Sequence, residues 1–185
     1  MFPQLTTDRF LLQQVLPDDQ QFIFEGLSHP DIIQFYGVRY DSFDATKKQM
    51  EWYEKSYNEG TGGPWKIIDR STNEKVGVIA YYFHKAEHKK AEVGFWIFPQ
   101  YWNKGIVTEV LRVVIEYCQQ QKDIHRLEAF VEEGNVASSR VLEKLGFVYE
   151  GTMRECEIKN GKFINLLMYA RLAGDKSLTR EILLT

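Results

Sequence analysis

What the chain lacks narrows its function first. No apolar run in its 185 residues approaches the roughly 20 that a membrane-spanning helix needs. The N-terminal stretch MFPQLTTDRFLLQQ has neither the basic start nor the apolar core of a secretion signal. There are only two cysteines, Cys118 and Cys156, both in apolar-patterned segments and at no metal-type spacing. They could in principle pair, but they read as reduced thiols, so the expectation is a cytoplasmic protein with no membrane contact and no metal. Nor is there a basic excess. The formal charge is −3 and the pI about 5.9, which argues against a nucleic-acid partner. No repeat, low-complexity tract or linker interrupts the chain, whose length suits one domain with a sizeable core.

What is present is an ordinary globular composition with a high aromatic share of 14%. RFLLQQV reads as a first strand, and PDDQQFIFEGL as a short helix capped by Asp18, with HPDIIQFY adding another helical turn. DATKKQMEWYEKSY places Met50, Tyr53 and Tyr57 on one helical face. WKIIDR and EKVGVIAYYFH form a hairpin, and the nearly continuous apolar AEVGFWIF reads as a central strand buried on both faces. A helix from Ile106 to Gln120 follows, then strand HRLEAFVEE, helix VASSRVLEKL stopped by Gly146, and a closing hairpin around Asn160-Gly161. The strand–helix–strand unit over 91–132 requires a parallel pair. The expectation is therefore an α/β domain over residues 1–172, with a mixed seven-stranded sheet and about four helices. Residues 173–185 read as a C-terminal tail with room for a short helix.

Two constellations carry candidate chemistry. In FPQYWNKGIVTEVLRVVIEYC a strand turns into a helix across Lys104 and Gly105. A helix starting there offers unpaired N–H groups and the positive end of its dipole, the physics of a phosphate cradle; a plain structural turn is equally consistent. In EEGNVASSRVLEKLGF, Asn135 and Ser138 stand three apart at a helix start, where Asn135 alone is well explained as an N-cap. Other patterns lead nowhere. His84 and His88 flank a charged loop, GTGGPWK lacks the Lys-Ser/Thr ending of a nucleotide loop, no Gly-x-Ser-x-Gly elbow occurs, and Cys118 belongs to a core stripe. Trp65, beside that glycine stretch, is a candidate for the substrate side.

The linked pair AEVGFWIFPQYWNKGIVTEVL and HRLEAFVEEGNVASSRVLEKLGFVYEG resembles the GCN5-related N-acetyltransferase (GNAT) superfamily, and within it the RimJ/RimL-like branch that acetylates ribosomal-protein N-termini. The resemblance covers residues 5–172. It implies the acyl-CoA N-acyltransferase fold, with its central parallel strands splayed. It also implies acetyl-CoA as co-substrate, its pantetheine arm against the main chain at Trp96, Ile97 and Phe98 with an N–H near Ile97 facing the oxyanion. The pyrophosphate would meet Asn103, Lys104, Gly105, Ile106, Val107 and Thr108, with Asn103 standing where the family pattern has its first glycine. Asn135 would hold the pantetheine arm, and Lys144 and Arg140 are candidates for the nucleotide phosphate. The tyrosine acid of many members is replaced here by Leu142. In the RimJ/RimL-like branch a serine takes that role, matching Ser138. The branch's base falls on Glu157, whose face Glu155 shares by strand alternation, and Glu92 is the other candidate.

These roles are chemically coherent. The attacking amine must be neutral, and about a tenth of α-amino groups are so near pH 7, against well under a thousandth of lysines. A carboxylate, directly or through water, is then base enough. The reading is an N-acetyltransferase that acts by direct attack in a ternary complex on a primary amine, foremost a ribosomal or other protein N-terminus, as a monomer or homodimer. A small-molecule amine (polyamine, amino acid or antibiotic) and a non-catalytic CoA-binding module stand as the alternatives.

Overall fold

A computed structural model describes residues 2–175. In chain order the elements are β1 (Leu5–Thr6), β2 (Phe10–Gln14), α1 (Gln20–Ser28), α2 (Pro30–Ile33), α3 (Lys47–Glu59), β3 (Gly63–Asp69), β4 (Lys75–Lys85) and β5 (Lys90–Ile97). Then come α4 (Ile106–Gln121), β6 (Arg126–Glu132), α5 (Val136–Lys144), β7 (Val148–Lys159) and β8 (Lys162–Leu172). The strands make one sheet in the order β1-β2-β3-β4-β5-β6-β8-β7. Every neighbouring pair is antiparallel except β5 and β6, which α4 connects in parallel, as a crossover requires.

The sheet has eight strands rather than the expected seven. The extra one is Leu5–Thr6, which pairs with Leu11 and Leu12 across a turn held by the Thr7 hydroxyl and the Phe10 N–H. The five α-helices exceed the expected four because Pro30–Ile33 closes a separate short turn, with Pro30 at its start and the His29 side chain accepting from the Asp31 N–H. Of the proposed tail, residues 173–175 continue in a turn beyond β8, and 176–185 lie outside the described residues.

The sheet separates two cores. On one side Val110, Leu111, Val114, Ile115 and Cys118 of α4 and Leu142 of α5 pack on Ile67, Ile79, Val93 and Leu127. On the other, Phe22, Ile23 and Leu27 of α1, Ile32 of α2 and Tyr53 of α3 pack on Val78 and Trp96. β5 feeds both layers through the alternation of its side chains, which is why its sequence is apolar almost throughout. Gly26 lets α1 approach this closely, since a Cβ there would overlap the Trp96 ring. Trp65 does not line a substrate pocket. It is fully buried, its indole donating to the Pro3 carbonyl at 2.7 Å.

A buried carboxylate ties the N-terminal helices to the sheet. Asp19, not the neighbouring Asp18, stands at the N-cap of α1, and its carboxylate reaches back to accept from the Leu16 N–H at 2.8 Å instead of capping the helix. The same carboxylate receives Lys66 of β3 at 2.7 Å and Lys75 of β4 at 2.6 Å. Burial alone would raise its pKa, but the Leu16 N–H and the two ammonium groups outweigh that and hold it below the ordinary value. A depressed folded-state pKa contributes stability above the unfolded pKa, and that contribution is lost as pH falls through the folded value. Asp19→Ala leaves Lys66 buried and unpaired, so it should cost about 3 kcal/mol in urea unfolding at pH 7. That deficit should narrow markedly toward pH 3.

Candidate active site

β5 and β6 pair only over Lys90–Glu92 against Arg126–Glu128. Beyond Glu92 and Glu128 they part, leaving a cleft of about 720 Å³, within the range of small-molecule sites. One wall is Val93–Ile97, the other Ala129–Val131, and the starts of α4 and α5 close it. The direction of the β5 main chain follows from one bond. The Phe98 N–H donates to the Val76 carbonyl at 3.0 Å, away from the cleft. Strand alternation then turns the main-chain groups of Trp96 toward β4 as well, and those of Phe95 and Ile97 into the cleft. The Ile97 carbonyl is taken by the Trp102 indole N–H at 2.9 Å, so that residue offers the cleft its N–H.

The bend after β5 uses two left-handed residues, Asn103 at φ 59° and Gly105 at φ 71°. Asparagine is among the few side chains that adopt this region readily, so it keeps the shape a glycine would give. Gly105 is the N-cap of α4, and a Cβ on it would meet nothing nearer than the Arg9 Nη2 at 3.9 Å. Conformation, not crowding, therefore requires glycine there. Asn103, Lys104, Gly105, Ile106, Val107 and Thr108 all line the cleft. Across from them Asn135 caps α5, its Oδ1 accepting from the Ser138 N–H at 3.2 Å, and both side chains belong to residues of the cleft wall. The cap and cleft-lining roles of Asn135 thus coexist. Arg140 and Lys144, further along α5, line the same wall.

The donor set suits a phosphate-bearing thioester. It combines a helix N-terminus with two left-handed residues, nearby cations and an inward strand N–H. Trp96 and Ile97 line the cleft, whereas Phe98 lies outside it. Phe95 and Trp102 were missed by the sequence reading, although the alternation on either side of Trp96 could have pointed to Phe95.

The far end of the cleft is built by Asp31, Ile32, Phe35 and Tyr36, around and after α2. Tyr36 is hydrogen-bonded to Tyr82 of β4, and burial raises both phenol pKa values, keeping them neutral donors. Tyr82 stands opposite Glu92 in the sheet register, and Glu92 beside Glu128. Glu92 therefore sits at the vertex where the strands separate. Its pKa is raised, first by burial and then by the Glu128 charge, against the weaker pull of Lys90 and Lys85. Glu128 is held ionised despite its burial by Arg126 at 2.8 Å and Lys90 at 3.1 Å.

Glu157 is exposed on β7, and neither it nor the half-buried Glu92 is among the residues that line the cleft. Its expected partnership with Glu155 fails because the register shifts between Met153 and Glu157 and Glu155 takes φ 52°, which breaks the alternation. The tip of the hairpin does reach the segment after α2. Lys159 donates to the Gln34 carbonyl and to Glu132, both at 2.5 Å, and Arg39 donates to Asn160 at 2.8 Å. Cys118 is buried and its thiol pKa raised by that burial, so it is no nucleophile. Among the described residues no group of three or more His, Cys, Asp or Glu is placed to hold a metal, and no helix is long and apolar enough to cross a membrane.

A sheet opened between parallel strands beside a helix start suits an acyltransferase that draws on a CoA thioester. The chain belongs to the GNAT family, whose acetyltransferase (GNAT) domain model matches residues 9–148. An uncharacterized N-acetyltransferase of Bacillus subtilis, YoaA, is 33% identical over 162 residues, covering 87% of this chain and 92% of that one. RimL, a ribosomal L7/L12 α-N-protein acetyltransferase solved with coenzyme A, shares the fold at TM-score 0.83 and 21% identity, over 92% of this chain and 98% of the other. So does spermidine N-acetyltransferase from Vibrio cholerae, solved with CoA and spermine, at TM-score 0.80 and 21% identity, over 90% and 96%. The protein is an acetyl-CoA-dependent N-acetyltransferase.

Gly105→Val forces a β-branched side chain into φ 71°, which costs on the order of 1–2 kcal/mol of loop distortion. Calorimetric affinity for CoA should fall about tenfold while the two cores keep the fold intact. Unaltered affinity would refute the role of this bend in holding the phosphates.

Proposed function

We propose that this enzyme acetylates a protein N-terminal α-amine by direct attack on acetyl-CoA in a ternary complex. The reading is carried chiefly by the juxtaposition of the inward Ile97 N–H on one wall with Ser138 on the other, above the Glu92 vertex. When bound, acetyl-CoA supplies an activated acyl group. The loop from Asn103 to Thr108 receives its pyrophosphate, Asn135 the pantetheine arm, and Lys144 with Arg140 the nucleotide phosphate. The Ile97 N–H is aimed where negative charge develops on the thioester oxygen. As the C–S bond breaks, Ser138 passes its hydroxyl proton to the departing sulfur and is reprotonated, through water, by the proton lost from the attacking amine.

Glu92 is the preferred base, acting directly or through a water. Its position at the vertex and its raised pKa suit a group that must take a proton near neutrality. Glu157, which the branch resemblance favoured, is an exposed strand residue and the second choice. An α-amine needs only modest help to lose its proton, which matches a single half-buried carboxylate. The exposed Asp31 at the far end of the cleft favours a second reading, a small polyamine whose distal cation it would meet.

Ser138→Ala should lower kcat about a hundredfold, at the lower end for general acids because a thiolate leaves readily, with CoA affinity unchanged. Because Glu92 must be ionised to act and its pKa is raised, activity should fall on the acidic side at a higher pH than an ordinary glutamate would set. Glu92→Gln should abolish that limb of the kcat/KM profile and Glu157→Gln leave it in place; the opposite pattern would reassign the base. Thiol release measured with peptides of varied N-termini and with spermidine separates the two acceptors. Turnover on spermidine alone would overturn the protein-N-terminus reading.

A further inference from the structure

Behind the phosphate loop, on the side away from the cleft, lies Arg9, 95 residues upstream of the bend and just before β2. Its Nη1 and Nη2 both donate to the Lys104 carbonyl at 3.2 Å. Its Nε donates to Glu109 Oε2 at 2.7 Å, and its own main-chain N–H to Glu109 Oε1 at 3.2 Å. Glu109 lies in the first turn of α4, where its N–H donates to the Gly105 carbonyl at 3.1 Å. Burial would raise the Glu109 pKa, but hydrogen bonds from Thr7 and Arg9 prevail and keep it ionised. The strand start is itself fixed, since the Arg9 carbonyl accepts from the Arg70 N–H at 2.9 Å and the Arg70 guanidinium binds the Thr7 and Asp8 carbonyls at 3.0 Å.

We infer that the Arg9–Glu109 clamp is a positioning device for the CoA pyrophosphate, holding the loop in its receiving shape from behind. In a trans peptide the C=O and N–H point in opposite directions. Fixing the Lys104 carbonyl on Arg9 therefore turns the Gly105 N–H away from Arg9, toward the cleft that Gly105 lines. The fork of the guanidinium matters as well as its charge, because three of its nitrogens reach two separate acceptors on either side of the bend. The full charge behind the loop polarises the peptide it grips, making that N–H a better donor. Arg9 lines no part of the cleft, so it acts through the loop and not by contact with the co-substrate.

The inference rests on the proposed seating of pyrophosphate at residues 103–108. Arg9→Met should weaken calorimetric CoA binding about tenfold and raise the KM for acetyl-CoA in parallel, with a smaller change in kcat. The KM for acetyl-pantetheine, which carries the thioester but no pyrophosphate, should stay within twofold. Arg9→Lys keeps the charge without the fork and should recover only part of the loss, and Glu109→Gln should reproduce it in weaker form. An Arg9→Met protein that binds CoA as wild type does, or one that loses acetyl-pantetheine equally, overturns the inference. If that variant does not fold, Arg9→Lys decides by the same ratio of the two donors. Failure of the wild-type protein to prefer CoA over pantetheine in binding would instead sink the seating of the pyrophosphate itself.

Discussion

The structure turns on an interruption of hydrogen bonding. Two parallel strands in the middle of an eight-stranded sheet stop pairing after Glu92 and Glu128, although both continue in strand conformation. Buried main-chain groups left without partners cost free energy comparable to a lost hydrogen bond. The fold tolerates the opening because each wall is held from its other edge, β5 by the long ladder to β4 and β6 by a seven-residue register with β8. The unpaired groups of Phe95 and Ile97 then face a site that a bound ligand can complete. Trp102 relieves part of the deficit by occupying the Ile97 carbonyl.

Around that opening the chain divides its work by layer. The α4–α5 side of the cleft carries Lys104, Arg140 and Lys144, two helix starts and Ser138. The α1–α3 side carries Phe35, Tyr36 and Asp31. The two halves meet at the vertex, where Glu92 shares space with Glu128. Its neighbour's charge is balanced by Lys90 and Arg126, so one carboxylate stays ionised while the other is lifted toward neutrality.

Most of this was legible where local chemistry dominates. The apolar run of β5, the four-residue spacing of α4, the Asn135 cap and the Asn160-Gly161 turn, with φ values of 52° and 75°, all report short-range physics. The elements that escaped depend on contacts distant in sequence. Leu5–Thr6 is too short to show a period and becomes a strand only by pairing with β2. Asp19 rather than Asp18 is the buried carboxylate, and the Lys66 and Lys75 that neutralise it come from strands some fifty residues away. The alternation used to place Glu155 beside Glu157 assumes an unbroken strand, and a register shift removes it. Arg9 shows no motif because its partners, Lys104 and Glu109, lie nearly a hundred residues on.

The ties at the tip of the last hairpin have a mechanical consequence. Lys159 and Asn160 hold residues 34 and 39, on either side of the Phe35 and Tyr36 that line the cleft. That wall is therefore loaded from a strand pair at the edge of the sheet. A shift of either one pulls on the other, so the cleft has a counterweight outside its own lining.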